Sequence, residues 1–296
     1  MSWACRLGLW LFLCAAVCRA QAPPPETGAP ATPPPPTPEA EAPAPPPRPP
    51  EGSVIINLPS ADTNPAGSLQ FLINHRFTAA VQGSDIHSFF SFFSPAQVGL
   101  GLSYTPLPGL EGGFLRGQDL EDYEVFAKYS LRATAQGPFR AAVRLGGDFR
   151  TEKTPLDPHR ESFFAQGILA ITIASRVRLT AVPTYVSRVA GPLALNDQTN
   201  VFNVPAALSA SITRTINLQA EVVPRTKGSP GVGWIAAVEK TLLRHRFSFT
   251  VGNIHGVTAD QYTIWQPQLY EGIPPRVESP TNIYFGFNIV RLWKLN

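Results

Sequence analysis

Polar or small residues alternate with apolar ones without a break in Gln97-Val98-Gly99-Leu100-Gly101-Leu102-Ser103-Tyr104. A period of two places successive side chains on opposite faces of a β-strand. The apolar residues of this stretch share one face, and the polar and glycine residues share the other. The stretch therefore predicts a strand whose two faces meet different surroundings.

Segments of the same kind recur to the C-terminus. Twelve are bounded by turn residues: 68–78, 96–106, 110–117, 122–133, 139–150, 162–174, 176–188, 200–212, 216–225, 231–240, 245–254 and 282–295. Connections after even-numbered segments are short, whereas most others are long, notably 79–95, 151–161, 189–199 and 255–281. This asymmetry is typical of outer-membrane barrels. We predict an all-β fold, an antiparallel up-and-down transmembrane β-barrel of about 12 strands, and a soluble β-sandwich is the alternative.

The first 53 residues of the sequence divide into two parts before the barrel. Residues 1–20 have a positive start, an apolar stretch too short to span a membrane, and small residues at the end, which predicts a signal peptide. Residues 21–53 form a proline-rich linker, since 15 of the 32 prolines lie between positions 22 and 50. The barrel domain is then residues 54–296. We therefore predict export to the outer membrane of a Gram-negative-type bacterium. The linker either binds a cell-wall or periplasmic partner or is a solvated tail.

Composition excludes several function classes. Charged residues are 15% of the chain, against about 25% in an average soluble protein, and the net charge of +3 gives no support for nucleic-acid binding. All three cysteines lie in the first 20 residues, which excludes thiolate metal sites and cysteine nucleophiles from the mature chain. Hydrolase, metalloprotease and phosphate-binding motifs are absent from the sequence. We therefore expect no catalytic residue, no cofactor and no metal. We expect membrane lipid to surround the barrel.

The inward faces of the predicted strands carry most of the charge. Ten positive residues (Arg76, Lys128, Arg132, Arg140, Arg144, Arg150, Arg178, Arg188, Arg225 and Arg246) stand against four negative ones (Glu124, Asp148, Glu221 and Glu239). Lumen charge tunes pore selectivity. We select as lumen-lining candidates Arg76, Lys128, Arg132, Arg140, Arg144, Asp148, Arg178, Glu221 and Arg246. The alternative is that these charges pair inside a closed lumen, and twelve strands lie between the filled and the open size classes.

Three further features concern the loops and the lumen. Gly99 and Gly101 face inward, so they either admit a backbone segment such as residues 55–59 or curve the wall. Acidic residues from 119 to 124 offer oxygen ligands for calcium, or form a solvated loop. Aromatic residues in two long loops are candidate external contacts: Phe89, Phe90, Phe92, Phe93, Tyr262, Trp265 and Tyr270. The 255–281 loop is the predicted recognition or gating element, because it is the longest connection.

Several short motifs indicate a known family. They are Ile55-Ile56-Asn57-Leu58-Pro59-Ser60, Asn74-His75-Arg76-Phe77, Leu115-Arg116-Gly117 and Phe126-Ala127-Lys128-Tyr129-Ser130-Leu131. Over residues 54 to 135 the chain resembles the bacterial membrane-bound β-barrel family catalogued as domain of unknown function 5777. The resemblance implies an outer-membrane barrel and no particular activity or ligand.

The sequence leaves three functions open. A passive or gated pore for small solutes, with a slight anion preference, is the leading hypothesis. A closed structural or interaction barrel, presenting external loops and a periplasmic proline-rich arm, is the alternative, and a barrel-borne hydrolase is third.

Overall fold

The wall of the protein is an antiparallel sheet that closes on itself. The computed structural model describes residues 52–82, 84–87, 91–118, 121–131, 137–151, 161–189, 200–226, 229, 231–265, 269–270, 276–277 and 279–295. The wall is built from β1 (Ser68–Phe77), β2 (Ala96–Leu107), β3 (Leu110–Gly117), β4 (Asp122–Ser130), β5 (Phe139–Arg150), β6 (Glu161–Ile173), β7 (Val177–Ala181), β8 (Thr184–Val186), β9 (Val201–Asn203), β10 (Ala206–Ser211), β11 (Ile216–Val223), β12 (Gly233–Leu242), β13 (His245–Gly252) and β16 (Tyr284–Lys294). A short helix α1 (Ala259–Tyr262) and a separate pair, β14 (Leu269–Tyr270) and β15 (Arg276–Val277), follow β13.

These strands make a closed barrel of twelve. Neighbours in the chain pair in order, β5 pairs with β6, and β1 pairs with β16 from Ser68↔Lys294 to Arg76↔Gly286. β7 and β8 are two halves of one wall strand, and β9 and β10 are halves of the next. The predicted architecture and strand count are confirmed.

Two wall strands are each interrupted at a proline, and the sequence pattern did not predict these interruptions. Val182-Pro183 separates β7 from β8, and Val204-Pro205 separates β9 from β10. Proline has no amide hydrogen for the ladder. The carbonyls of both prolines still accept hydrogen bonds from the neighbouring strand. The carbonyl of Pro183 accepts from the amide of Gly167 (2.9 Å), and the carbonyl of Pro205 accepts from the amide of Val182 (2.8 Å). The wall therefore stays continuous.

The two faces of the wall differ as the alternation predicts. In β2, Leu100, Leu102 and Tyr104 point outward and are 41–47% exposed, whereas Gly101 and Ser103 point inward and are buried. Large apolar side chains are exposed on the outer face of most of the other wall strands as well. An apolar belt outside and polar groups inside are the pattern of a barrel that crosses a bilayer.

The two rims of the barrel have different connections. At the short-turn end, β2 and β3 are joined by Pro108-Gly109, where Gly109 has φ +85°, as the third position of a type II turn requires. The long-loop end carries the connections at 78–95, 187–200 and 253–283. Because Ser68 pairs with Lys294, both chain ends enter the wall at the short-turn end.

Residues 1–51 lie outside the described residues, so the predicted signal peptide and linker remain predictions. The described part of the chain contains no helix that is both long and apolar enough to span a membrane.

Two segments of the chain fill the interior of the barrel. The amino-terminal hairpin (residues 52–64) precedes β1 and turns back on itself, with a bridge between Val54 and Pro59. The inner loop (residues 253–265) follows β13, contains α1 and is buried along nearly its whole length. Both contribute to one apolar cluster with the inner faces of β5, β6, β10, β11 and β12. The core of this barrel is therefore its lumen.

Candidate functional site

The tip of the amino-terminal hairpin is bound by one carboxylate. Glu221 on β11 accepts hydrogen bonds from three consecutive backbone amides, those of Ile56 (2.7 Å), Asn57 (3.0 Å) and Leu58 (2.9 Å). The second carboxylate oxygen accepts from Asn57 at 3.1 Å. Successive amides in a tight turn form a concave anion site, and this one is occupied by a side chain of the wall.

Wall side chains also bind two other polar groups of the hairpin tip. Asn288 donates to the carbonyl of Ile56 (2.9 Å), and Arg76 donates to the side-chain oxygen of Asn57 (2.9 Å). Arg76 donates to Asn288 as well (2.7 Å), so the two wall residues support each other. Buried polar groups need such partners, and the tip is therefore matched to its position in the lumen.

The base of the hairpin is held by cations. The ammonium of Lys128 donates to the carbonyls of Ser53 (3.0 Å) and Asp62 (2.9 Å), and it forms an ion pair with Glu111 (3.1 Å). The carboxylate of Asp62 forms an ion pair with Arg178, with Arg140 3.6 Å away. Wall groups on several sides of the barrel thus fix both arms of the hairpin.

Apolar contacts supply most of the free energy that seats the hairpin. Ile55, Ile56 and Leu58 are 0–7% exposed and belong to the apolar cluster of the lumen. Burial of a large aliphatic side chain contributes about 2 kcal/mol, so the three together contribute about 6 kcal/mol. Polar contacts add less, because each replaces a hydrogen bond to water.

The inner loop closes the other half of the lumen. Ala259 donates its amide to Glu124 (2.7 Å), which is also paired with Arg144. Gln166 donates to the hydroxyl of Tyr262 (3.2 Å). Burial raises the pKa of the Tyr262 hydroxyl well above its usual range, so this group is a neutral phenol. The loop is therefore joined to β4, β5 and β6.

Little space remains between the two inner segments. A cavity of about 40 Å³ lies between Asn57, Lys128 and Tyr262, which is room for about three water molecules. A larger cavity of about 850 Å³ opens at the short-turn end around Asp62, Arg140 and neighbouring residues. The hairpin thus separates a wide vestibule from a filled lumen.

The structure places the lumen-lining candidates as follows. Inside the barrel, on inward-facing positions, lie Arg76, Lys128, Arg140, Arg144, Asp148, Arg178, Glu221 and Arg246. Arg132 lies outside the described residues. Glu111 and Asp122 are inward, buried and absent from the sequence-based set. Glu111 was missed because two glycines interrupt the alternation of β3, although it stands directly opposite Lys128.

The charge balance of the lumen differs from the sequence-based expectation. Arg225 is exposed in the connection after β11, and Arg188 follows β8, so neither lies on a wall strand. Among the described wall strands, the inward charges that are at least partly buried are seven positive (Arg76, Lys128, Arg140, Arg144, Arg150, Arg178 and Arg246) and six negative (Glu111, Asp122, Glu124, Asp148, Glu221 and Glu239). The predicted excess of six is wrong for this part of the chain, and the excess is one.

The predicted external aromatic contacts lie in three different environments. Tyr262 and Trp265 are 2–3% exposed, so their prediction as external contacts is wrong. The inner loop folds into the barrel, and Trp265 donates its indole N–H to the carbonyl of Asn253 (3.0 Å). Phe92 stacks against Phe285 on the outer wall, with ring centroids 5.4 Å apart. Phe93 is exposed, whereas the side chains of Phe89, Phe90 and Tyr270 lie outside the described residues.

Two other sequence-based interpretations are resolved. Gly99 does admit a close approach to the wall, but by Val257 of the inner loop, whose side chain lies 3.1 Å from where a Cβ would stand. The acidic residues from 121 to 124 do not gather in one loop: Glu121 faces Arg116 outside the barrel (3.6 Å), whereas Asp122 and Glu124 point into it. Strand alternation separates neighbours of this kind.

The match to one family model agrees with the architecture. A family model described as a membrane bound beta barrel domain (DUF5777) matches residues 51–293. Outer membrane phospholipase A from Escherichia coli is similar in structure, with a TM-score of 0.44 and 12% identity over 77% of this chain and 91% of that chain. An active-site mutant of the same phospholipase gives the same values. No curated protein sequence matches the chain significantly.

Proposed function

The chain belongs to the membrane bound beta barrel domain family, and from that premise we propose that it is an outer-membrane pore for small solutes, closed at rest by its own amino-terminal hairpin. The observation that carries the proposal is the binding of three hairpin amides by Glu221. A segment held in this way is a plug with a defined seat.

The contacts of the plug favour reversible displacement. Glu221, Lys128 and Arg178 are ionisable, and Asn288 is polar, so water in an emptied lumen would solvate each of them. The apolar side chains set the scale of the cost, about 6 kcal/mol, which corresponds to one open barrel in about 10⁴. Spontaneous opening is then rare. A mechanical force on the proline-rich segment that precedes residue 52 would directly increase the fraction of open barrels.

Selectivity of the open barrel is expected to be weak. The at least partly buried inward charges of the described wall strands have an excess of one positive charge, and Asp62 would leave the lumen together with the hairpin. The slight anion preference predicted from the sequence is accordingly reduced to near neutrality, because most cations stand beside a carboxylate, as Lys128 does beside Glu111 (3.1 Å).

A closed interaction barrel is the second candidate. The inner loop favours it, since residues 253–265 fill the opposite half of the lumen and would remain after the hairpin left. In that case the barrel serves as an anchor for its loops and its amino-terminal segment, and no solute passes.

Conductance in planar bilayers tests both candidates. The intact mature protein should show rare openings, and a variant without residues 52–64 should show frequent ones, with reversal potentials close to zero in a salt gradient. A variant without residues 22–50 is the control, because it keeps the plug and should match the intact protein. If the variant without the plug assembles in the membrane and conducts no more than the intact protein, the gated pore is refuted and the closed barrel remains.

A further inference from the structure

Three aspartates converge where the inner loop meets the wall. Asp122 lies on β4, Asp148 on β5 and Asp260 on α1, and all three side chains are fully buried. One carboxylate oxygen from each lies within 4.8 Å of the others. Oxygens bound to one Ca²⁺ at about 2.4 Å stand at most about 4.8 Å apart. The spacing therefore allows one calcium ion to contact all three groups.

The charges around this cluster are unbalanced. Arg150 forms an ion pair with Asp260, and Arg144 forms one with Glu124. Within the described part of the chain, Asp122 and Asp148 have no salt-bridge partner. A buried charge without a counter-charge is costly. Two uncompensated carboxylates match the charge of one divalent cation.

Unpaired polar atoms within the cluster, and one on the cross-strand neighbour of Asp148, give a further indication. Neither oxygen of Asp148 has a hydrogen-bond partner among the described residues, and the same holds for Oδ1 of Asp122. Ser162 stands directly opposite Asp148 in the pairing of β5 with β6, and its hydroxyl is fully buried and equally unpaired. Buried polar groups rarely lack partners. Four such oxygens in one place are the donor set of an ion.

We propose that Asp122, Asp148 and Asp260 bind one Ca²⁺, with the hydroxyl of Ser162 as a fourth oxygen ligand. The donors are oxygen atoms alone, which suits a hard cation. Calcium is preferred to magnesium because Ca²⁺ accepts irregular sets of oxygen ligands, whereas Mg²⁺ demands near-ideal octahedral geometry and keeps several of its waters. This assignment departs from the expectation that the chain binds no metal.

The proposed ion would join the inner loop to the wall. Two of the aspartates belong to the neighbouring strands β4 and β5, and the third belongs to α1. Ion binding would therefore fix the inner loop in its buried position. The hydroxyl oxygen of Thr258 lies 2.9 Å from a carboxylate oxygen of Asp122 and 2.8 Å from one of Asp260, so its single proton is shared between two carboxylates that stand side by side. The inference does not rest on the gated pore, since ion binding is measured without conductance.

Calcium titration of the purified full-length mature protein in detergent tests the proposal. Isothermal titration with CaCl₂ after EDTA treatment should show one saturable site per chain, and MgCl₂ should bind at least about 10-fold more weakly. The Asp148→Asn variant keeps the size of the side chain and removes its charge, and it should lose at least about 10-fold in affinity for calcium. Glu239→Gln is the matched control, because Glu239 is an inward, buried carboxylate on β12 away from the cluster.

A milder variant covers the case in which Asp148→Asn does not fold. Ser162→Ala removes one neutral ligand and should weaken calcium binding several-fold, with the heat-dependent gel shift still present. The proposal is overturned if the intact protein binds no calcium in saturable fashion, or if the Asp148 and Ser162 variants bind it as tightly as the Glu239 control.

Discussion

The substitution Glu221→Gln tests how the plug is seated. Glutamine keeps one acceptor oxygen, so the amides of Ile56 and Leu58 retain a partner, but the bond from Asn57 to the second oxygen (3.1 Å) is replaced by two opposed N–H groups. Hydrogen bonds to a charged acceptor contribute about 1 kcal/mol more than neutral ones. We expect the seated state to lose about 2 kcal/mol, which raises the open fraction roughly 30-fold.

Thiol labelling measures that fraction directly. The three native cysteines lie in the first 20 residues, so Ser53→Cys would introduce the single thiol of a chain that starts after the predicted cleavage site. Ser53 is 1% exposed at the base of the hairpin, and its thiol should react when the hairpin leaves. When opening and closing are faster than labelling, the labelling rate follows the open population. The rate should therefore rise roughly 30-fold in the Glu221→Gln background, as the estimated 2 kcal/mol requires.

The opposite result is physically possible and would refute the reasoning. Burial of the Glu221 carboxylate carries a desolvation cost, and removal of a buried charge can stabilise a protein. If Glu221→Gln labels as slowly as the parent or more slowly, desolvation outweighs the three amide contacts, and the carboxylate is not what seats the hairpin. Glu239→Gln in the same background is the control, since its partners Asn217, Ser248 and Arg246 all lie in the wall and none of its hydrogen bonds among the described residues goes to the hairpin.

Three further predictions concern the wall. Lys128→Met should destabilise the barrel by about 3–5 kcal/mol in urea unfolding, because it leaves the buried carboxylate of Glu111 unpaired, and adding Glu111→Gln should restore much of the loss. Gly286→Ala should abolish the heat-dependent gel shift, because its Cβ would overlap a backbone carbonyl of β1, whereas Gly112→Ala should not, since its nearest neighbour would be 3.8 Å away. Ser175→Gly should raise the unfolding free energy by about 1 kcal/mol, because this turn residue has φ +57°, and an unchanged urea midpoint would contradict it.

The wall could be predicted from the sequence because its signals are local. The alternation within each strand identifies its inner and outer faces, as Leu100, Gly101 and Leu102 illustrate. Each strand also pairs only with its neighbours in the wall. The breaks at Pro183 and Pro205 were missed because the alternation continues through them, although proline in a strand is itself a warning. Sequence pattern also placed eight of the nine lumen-lining candidates on inward positions, and Arg132 alone lies outside the described residues.

What fills the lumen was decided by the tertiary structure. The amides of residues 56–58 meet Glu221 across more than 160 positions of the chain, and Arg150 meets Asp260 across 110. No local pattern records such partners, because a long loop with Tyr262 and Trp265 looks the same in sequence whether it projects outward or folds inward. Alternation determines which side chains face the interior. Which segments return to neutralise and bury them depends on the free energy of the closed barrel as a whole.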